Sequence, residues 1–298
     1  GGGGGAGGMA AGGAGGAGWE GPPAEGRWVG GAGGARAGVC EHGAHVCAWE
    51  PADGAGGRLF LSARAAYAPP RAIRGGVPLC WPQFSDLGPL ASQHGFARNS
   101  RWEAVEPAPP GPGAASFVLR EGPPEWGRPF QARLDVRVGG QDLDIAFQVA
   151  NPGPEAMEFT FALHTYFAVD DVAGARVEGL QGCRYLDSLR ERAECTEAEE
   201  AVTFRGEVDR IYLDTPSRGE LRVVDGAGGR AVRILKRNLP DAVVWNPWEE
   251  KSRRMGDFGD DEYHRMVCVE AGAIQPPVRL EAGATWQAGQ TLRAESLS

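Results

Sequence analysis

Two residues far apart in the sequence, His164 and Glu270, could act together as an acid and a base. His164 follows a stretch in which Phe159, Phe161 and Leu163 alternate with smaller or polar residues, and this predicts a strand with one buried and one open face. An imidazole on the open face can give or take a proton near neutral pH. A histidine in a strand is also commonly structural, so the alternation alone leaves both interpretations open.

The partner of His164 is predicted in the segment RMVCVE, residues 265–270. Val267 and Val269 share one face of this segment, and Glu270 ends the predicted strand on the other face. A carboxylate and an imidazole side by side are suited to general acid–base catalysis. The sequence therefore predicts that His164 and Glu270 work as a pair on the open face of a large antiparallel sheet.

A segment rich in glycine and proline, residues 72–106, contains two arginines that could bind an anion. Arg74 precedes Gly75-Gly76, where the backbone can bend sharply and a ligand can come close. Arg98 lies further along the same segment, whose aromatic content disfavours disorder. The two guanidinium groups could form a fork for phosphate or carboxylate. They could equally bind backbone carbonyls and acidic neighbours.

Two clusters of potential metal ligands have unsuitable spacing. Cys40, His42, His45 and Cys47 form the pattern C-x-H-x2-H-x-C, which is not a usual zinc pattern, and a β-hairpin is the favoured interpretation. The acidic residues within 257–262 miss the spacing of a calcium-binding EF-hand loop. No metal site is predicted.

The elements that must position these residues are strands. Residues 134–138 and 143–149 alternate between apolar and polar side chains, and Gly139-Gly140 predicts a hairpin turn between them. A turn at 151–153 then leads into the strand of His164, so a meander of three strands is expected. Because no helical pattern intervenes, the sequence predicts an all-β antiparallel architecture.

Further strands are predicted toward the C-terminus. Asp209 falls in a short strand edge or loop, where it could accept hydrogen bonds from sugar hydroxyls or merely pair with a neighbouring arginine at the surface. The other predicted strands are a hairpin at 221–224 and 232–235, a buried strand at 242–248, and strands at 278–280 and 286–294.

The length, composition and net charge of the chain limit its possible domain organisation and class of partner. Of 298 residues, much of the glycine lies in residues 1–34, which we expect to be a disordered tail before a folded part at 35–298. The net charge of -9 argues against nucleic acid or an anionic membrane surface as the main partner. No run of 18 apolar residues is present, so no membrane span is predicted. The six cysteines form no CxxC pair and are expected to stay reduced inside a cell.

Seven motifs together point to a known family. They run in the order AIRGGVPLCWPQF, QHGFARN, LHTYF, VDRIY, VVWNPW, GDFGDDEY and VCVEAGAI. In this order and at these separations they resemble the glucose-6-phosphate 1-epimerases of the aldose 1-epimerase superfamily, a group that includes plant apospory-associated protein C-like sequences. The resemblance covers the chain from about Ala35 onward. It implies one large β-sandwich domain of the galactose mutarotase type, with few short helices and the site in its concave face.

The resemblance also implies roles for individual residues. His164 matches the general acid and Glu270 the general base, while Arg74 and Arg98 match ligands of the substrate phosphate. His45 matches a position taken as structural. Three more positions are implied to bind substrate, namely Gln93, His94 and Asp209.

These roles imply interconversion of the α and β anomers of hexose 6-phosphates, glucose 6-phosphate in particular, by acid–base ring opening and closure without cofactor. Two alternatives stay open: a non-catalytic module that binds carbohydrate or sugar phosphate, and a mutarotase for unphosphorylated hexoses. A glycoside hydrolase would need a second carboxylate beside Glu270, and the sequence offers no candidate for it on a matching strand. The expected protein is a monomer with a small-molecule partner, in the cytoplasm or alternatively the plastid stroma.

Overall fold

The regular secondary structure of the chain consists almost entirely of antiparallel strands in a computed structural model, which describes residues 26–106, 113–216 and 218–297. One α-helix is present in these ranges, α1 (Trp248–Arg254), together with short 3-10 helices at Ala32–Gly34, Ala97–Asn99, Pro124–Trp126, Val172–Gly174, Ser188–Arg190 and Glu262–Arg265. The strands are β1 (Gly26–Gly30), β2 (Arg36–Cys40), β3 (His45–Glu50), β4 (Leu79–Cys80), β5 (Glu103–Ala104), β6 (Ala114–Leu119), β7 (Gln131–Gly139), β8 (Asp142–Ala150), β9 (Met157–Leu163), β10 (Tyr166–Ala168), β11 (Ala175–Glu178), β12 (Arg184–Asp187), β13 (Ala193–Thr196), β14 (Ala201–Thr203), β15 (Val208–Tyr212), β16 (Arg218–Asp225), β17 (Arg230–Arg237), β18 (Asp241–Asn246), β19 (Met266–Leu280) and β20 (Thr285–Ser296).

Two large sheets and one small sheet contain these strands. The small sheet has the order β1-β2-β3, and the eight-stranded sheet has the order β13-β12-β15-β18-β19-β9-β4, with β10 also paired to β19. The nine-stranded sheet has the order β14-β11-β16-β17-β20-β8-β7-β6-β5. This arrangement confirms the all-β antiparallel prediction, and the hairpin predicted between β16 and β17 is present.

The hydrophobic core lies between the two large sheets. Along β8 the buried residues alternate with half-buried ones, in the order that the apolar pattern predicts. Phe147 of β8 stacks on Phe161 of β9, with ring centroids 4.6 Å apart and planes at 22°. Trp286 of β20 packs its edge against Phe161 at 5.5 Å. These rings join the two sheets, since burying one large apolar side chain contributes roughly 1.5–3 kcal/mol.

The strand that precedes His164 belongs to a different sheet from the two strands before it. β7 pairs with β8, but β9 pairs with β19 and β4, so the predicted meander of three strands is wrong. Alternation reports which side chains face a core. It does not report which sheet a strand joins, because both sheets contribute apolar side chains to the same core.

Both faces of β9 are buried, so the face predicted to be open is largely covered. Thr160 Oγ1 accepts a hydrogen bond from the backbone N–H of Phe84 at 2.6 Å. Ala162 packs with Phe84 and Ile211 in a second apolar cluster. The loop that follows β4 therefore lies over this face, and only the end of the strand near His164 opens into a cleft.

Glu270 also lies in a different setting from the predicted one. β19 continues ten residues beyond it, to Leu280, so Glu270 is in the middle of a long central strand and not at its end. It pairs with Val243 of β18. The pairing of β19 with β9 is interrupted after Ala273 and resumes at Val278 after a shift in register.

The folded part begins before the predicted boundary at Ala35. β1 pairs with β2 over its whole length, and Val29 within it is buried. Arg36 stacks over the ring of Trp28 at 4.3 Å. A glycine-rich segment gains order here because β2 offers partners to the backbone groups on one side of it. The remainder of the predicted tail, residues 1–25, lies outside the described residues.

The Cys40–Cys47 segment forms the hairpin of β2 and β3, as predicted. The two sulfurs lie 3.2 Å apart in the buried interior of this hairpin. Across the described ranges, no group of three His, Cys, Asp or Glu side chains is placed to hold a metal ion. None of the helices in these ranges has the length and apolar character needed to cross a membrane.

Candidate active site

A cleft of about 470 Å³ lies against the eight-stranded sheet, at the end of β9. Its volume is in the range of small-molecule sites. Its lining includes all of the residues that the sequence singled out for chemistry or binding, namely Arg74, Gln93, His94, Arg98, His164, Asp209 and Glu270.

His164 and Glu270 face each other in this cleft. Leu163, at the end of β9, pairs with Ala271 of β19, so the residues beside this pair are neighbours on adjacent strands. His164 Nε2 lies 3.4 Å from Glu270 Oε1, and both residues are buried. Glu270 Oε2 and His164 Nδ1 make no hydrogen bond within the described part of the chain. The predicted pair is therefore adjacent, with one carboxylate oxygen unengaged.

The surroundings of this pair favour its uncharged form. Burial lowers the pKa of His164 well below its usual range, and the guanidinium groups of Arg98 and Arg74 lower it further. Burial raises the pKa of Glu270 well above its usual range; the Asp209 carboxylate raises it further, while Arg98 opposes the rise. The free cleft thus favours a proton on Glu270 over one on His164. This differs from the ionised pair that the sequence-based roles assume.

Aromatic rings fix the orientation of His164. Its imidazole is stacked on Tyr166, with centroids 4.8 Å apart and planes at 10°. The indole of Trp245 meets it edge-on at 5.9 Å. Tyr166 is two residues beyond His164 and so lies on the same side of the chain. That period of two was a signal in the sequence from which this residue could have been found.

His94 contributes a hydrogen-bond donor whose tautomer is set by the backbone. Its Nδ1 accepts a hydrogen bond from the N–H of Ser85 at 3.1 Å, and burial lowers the pKa of His94 well below its usual range. The neutral ring must therefore carry its proton on Nε2. His94 has a left-handed backbone, with φ of 65°, and its ring centroid is 5.5 Å from that of His164.

Arg74 is held in place by its own turn and by two side chains. Gly76 has φ of 59°, and a Cβ there would lie 2.3 Å from the carbonyl oxygen of Val46, so the close approach requires glycine. Arg74 Nη1 donates to the Tyr166 hydroxyl at 3.0 Å. Its Nε donates to Asp257 Oδ2 at 3.2 Å, in an ion pair. Asp257 was considered in the sequence only as a calcium ligand.

Arg98 is a cation that forms no ion pair with a carboxylate among the described residues. Its Nη2 donates to the carbonyl oxygen of Gln93 at 3.1 Å, while its Nε is buried and makes no hydrogen bond within the described chain. Burial lowers the pKa of Arg98, and the charge of Arg74 lowers it further. A guanidinium group in this setting is suited to binding an anion, because an anion would offset the cost of burying its charge.

Asp209 lies on an interior strand and not at a sheet edge as predicted. β15 is paired on both sides, with β12 and β18. The Asp209 carboxylate is 3.6 Å from Lys251 Nζ. Burial raises the pKa of Asp209, and Lys251 lowers it in opposition. Asp209 thus provides the acidic side of the cleft, across from the two arginines.

Four charged residues that line the cleft were missed in the sequence, namely Asp86, Glu191, Arg192 and Lys251. Arg192 and Asp86 form an ion pair between the loop after β12 and the loop after β4, and both line the cleft. They are separated by 106 positions. No local pattern connects them, because the contact depends on how two irregular loops are placed by different strands.

The chain is similar to known proteins over most of its length. The family model described as Aldose 1-epimerase matches residues 29–293. A protein from Cenchrus ciliaris named "Putative glucose-6-phosphate 1-epimerase" is 41% identical over 265 residues, which are 85% of this chain and 79% of that protein. A protein of the same name from Escherichia coli strain K12 is 35% identical over 237 residues, 76% of each chain.

A solved structure has the same architecture. The crystal structure described as a "putative mutarotase" from Salmonella typhimurium matches with a TM-score of 0.79 and 28% identity, and the match covers 88% of each chain. The β-sandwich of the mutarotase type, expected from the seven motifs, is therefore confirmed.

Proposed function

We propose that this chain, which belongs to the aldose 1-epimerase family, interconverts the α and β anomers of hexose 6-phosphates, with glucose 6-phosphate as a substrate. The observation that carries the proposal is the 3.4 Å approach of His164 Nε2 to Glu270 Oε1 in a cleft that also contains two arginines. The names of the relatives from Cenchrus ciliaris and Escherichia coli give the same substrate.

The acid–base pair would open and close the sugar ring. Glu270 as carboxylate takes the proton of the C1 hydroxyl, and protonated His164 donates to the ring oxygen. The C1–O5 bond then breaks and an open-chain aldehyde forms. Rotation about C1–C2 presents the other face of the carbonyl, and the same two groups act in reverse. The reaction has no net redox change and transfers no group.

The ionised pair needs no additional proton from solvent. A neutral Glu270 with a neutral imidazole contains the same number of protons as a carboxylate with an imidazolium. Moving one proton from Glu270 to His164 therefore converts the favoured resting form into the reactive form. A positioned acid and base typically accelerate such proton transfers by about 10²–10⁴-fold each.

The remaining residues would bind the rest of the substrate. Arg74 and Arg98 take the 6-phosphate, since a dianion forms charge-assisted hydrogen bonds with guanidinium groups. Asp209 accepts hydrogen bonds from sugar hydroxyls. His94 donates from Nε2, and Gln93 provides a further polar contact. A non-catalytic binding module would require the arginines but not the adjacent acid and base.

We also propose a monomer that works in a reducing compartment, the cytoplasm or alternatively the plastid stroma. All six cysteines are thiols, which is typical of such compartments. The net charge of -9 supports a small molecule over nucleic acid as partner.

Two-dimensional exchange NMR tests the proposed function. Cross-peaks between the α and β anomeric protons of glucose 6-phosphate should grow faster with wild type than in buffer. The enhancement should be absent with His164→Ala, and free glucose serves as the control for phosphate preference. If wild type produces no exchange above buffer, the enzymatic assignment is wrong and a sugar-phosphate-binding module becomes the better interpretation.

A further inference from the structure

The charges around His164 are unevenly distributed. On the acidic side, Glu270 lies 3.4 Å away, and the Asp209 carboxylate raises the pKa of Glu270. On the basic side, Arg98 and Arg74 oppose protonation of His164. The other titratable groups that contact or influence the imidazole are His94, His45 and Tyr166.

The two arginines differ in how well their charge is balanced. Arg74 is paired with Asp257 at 3.1 Å. Arg98 is half-buried and forms no ion pair with any residue that the structure describes, and its Nε has no hydrogen-bond acceptor there. Arg98 thus brings a positive charge without an ion-pair partner among these residues to the place where the substrate phosphate is proposed to bind.

This positive charge works against the reactive form of the catalytic pair. The reactive form requires a proton on His164, which both arginines disfavour. Of the two arginines, Arg98 is the one that also favours ionisation of Glu270. A dianion bound at both arginines would therefore act more strongly on His164 than on Glu270. The proton would shift from Glu270 toward His164.

We propose that the substrate phosphate is an activator of the chemical step: a dianion bound at Arg98 and Arg74 neutralises their charge and allows His164 to hold the proton that it donates to the ring oxygen. This inference rests on the proposed function and deepens it. The phosphate contributes to turnover and not only to affinity. It also need not be covalently attached to the sugar.

A substrate divided into two parts tests the inference directly. D-xylose is a glucose analogue that lacks the C6 group, and phosphite dianion replaces the missing phosphate. Exchange NMR on xylose anomers, with and without phosphite at constant ionic strength, gives kcat and KM separately. We expect phosphite to raise kcat for xylose at least about tenfold, since a pKa change of one unit alters the protonated fraction of His164 by that factor.

Removing both guanidinium charges should imitate the dianion. The double variant Arg74→Met/Arg98→Met should raise the anion-free kcat on xylose toward the phosphite-activated value of wild type, and it should abolish the response to phosphite. A residue that only binds phosphate would leave the anion-free rate unchanged. The matched control is Arg293→Gln, which removes an exposed arginine paired with Asp142 on the other large sheet.

A spectroscopic measurement follows the proton itself. The chain has five histidines, so 15N-labelled imidazole signals can be assigned with one variant for each residue. Phosphite together with xylose should move the Nε2 signal of His164 toward the imidazolium position at neutral pH. In Arg74→Met/Arg98→Met the signal should already be displaced before phosphite is added.

The outcomes separate this inference from the proposed function. If glucose 6-phosphate is turned over but phosphite leaves kcat for xylose unchanged, or lowers KM alone, activation by the dianion is refuted and the epimerase function stands. A response to phosphite that persists undiminished in Arg74→Met/Arg98→Met also refutes it. If glucose 6-phosphate is not turned over at all, both proposals fail together.

Discussion

The Tyr166 hydroxyl connects the proposed acid with a proposed phosphate ligand, and its removal is a sensitive test of the site. Its ring is stacked on His164, and its oxygen accepts a hydrogen bond from Arg74 Nη1 at 3.0 Å. In Tyr166→Phe the stacked ring remains, so the orientation of His164 should be kept. Arg74 loses one of its two side-chain acceptors and keeps Asp257.

The expected loss follows from the type of bond. A hydrogen bond to a charged group contributes about 1.5–3 kcal/mol. Arg74 is partly exposed and keeps its ion pair, so the lower end of this range applies. About 1.5 kcal/mol corresponds to roughly tenfold in an equilibrium constant. We therefore expect KM for glucose 6-phosphate to rise about tenfold, with little change in KM for free glucose.

The chain offers a matched control for this substitution. The Tyr212 hydroxyl is also buried and donates to Glu197 Oε2 at 2.6 Å, outside the cleft. Tyr212→Phe should lower the free energy of unfolding by a similar amount, measured by urea denaturation, and leave both KM values unchanged. If Tyr166→Phe has the kinetics of wild type, the Tyr166 hydroxyl does not position Arg74 for binding the phosphate. If both sugars are affected equally, the phosphate assignment is refuted.

Four further predictions concern catalysis, stability and pH. Glu270→Gln should lower exchange of glucose 6-phosphate anomers by about 10²–10⁴-fold while calorimetry finds no loss of thermal stability, because a carboxyl group kept neutral by burial is replaced by an amide. Arg98→Met should increase the free energy of unfolding in urea by about 1 kcal/mol, since it removes a half-buried charge that has no ion-pair partner among the described residues. Phe161→Ala should cost about 3–5 kcal/mol in the same assay, because its ring stacks between the large sheets. Burial lowers the pKa of His45 from 6.5 to about 3, so between these pH values the unfolded chain binds more protons than the folded chain. The free energy of unfolding should therefore fall as pH falls through this window. His45→Gln should reduce the slope of the free energy of unfolding against pH by about 1.4 kcal/mol per pH unit.

Each of these predictions has an opposite result that would refute its reasoning. Full activity in Glu270→Gln would exclude the carboxylate as the base. A destabilised Arg98→Met would mean that its guanidinium group is better compensated than its surroundings indicate. A loss below 1 kcal/mol in Phe161→Ala would place the core elsewhere. An unchanged pH slope in His45→Gln would indicate that His45 titrates normally.

The sequence was most informative where one face of a strand is exposed. Along β8 the alternation from Leu143 to Val149 is reproduced by burial, because the outer face of the nine-stranded sheet meets solvent and only the inner face meets the core. The hairpin of β7 and β8 could be predicted for the same reason. The sheet to which β9 belongs could not, since strand pairing depends on residues more than a hundred positions away.

The sequence predicted which residues form the site but not how their charges interact. The motifs identified the seven predicted site residues, and all seven line the cleft. Each motif could be found from the sequence because its residues are consecutive in the chain. The ion pair of Arg192 with Asp86 has no local signature. The unbalanced charge of Arg98 could not be predicted either, because it depends on which carboxylates are absent from its surroundings in the fold.

The same covering loop explains both where the pattern failed and where the chemistry is proposed. Alternation along β9 predicted an open polar face, yet Thr160 is bonded beneath the loop that follows β4. That loop carries His94 and Arg98 to the end of the strand, where the ring of His94 lies 5.5 Å from that of His164. An exposed imidazole and carboxylate would titrate near their ordinary pKa values, and Arg98 would be screened by solvent. Burial under this loop couples the protonation of His164 to charge at the arginines, which is the property on which a response to a bound dianion depends.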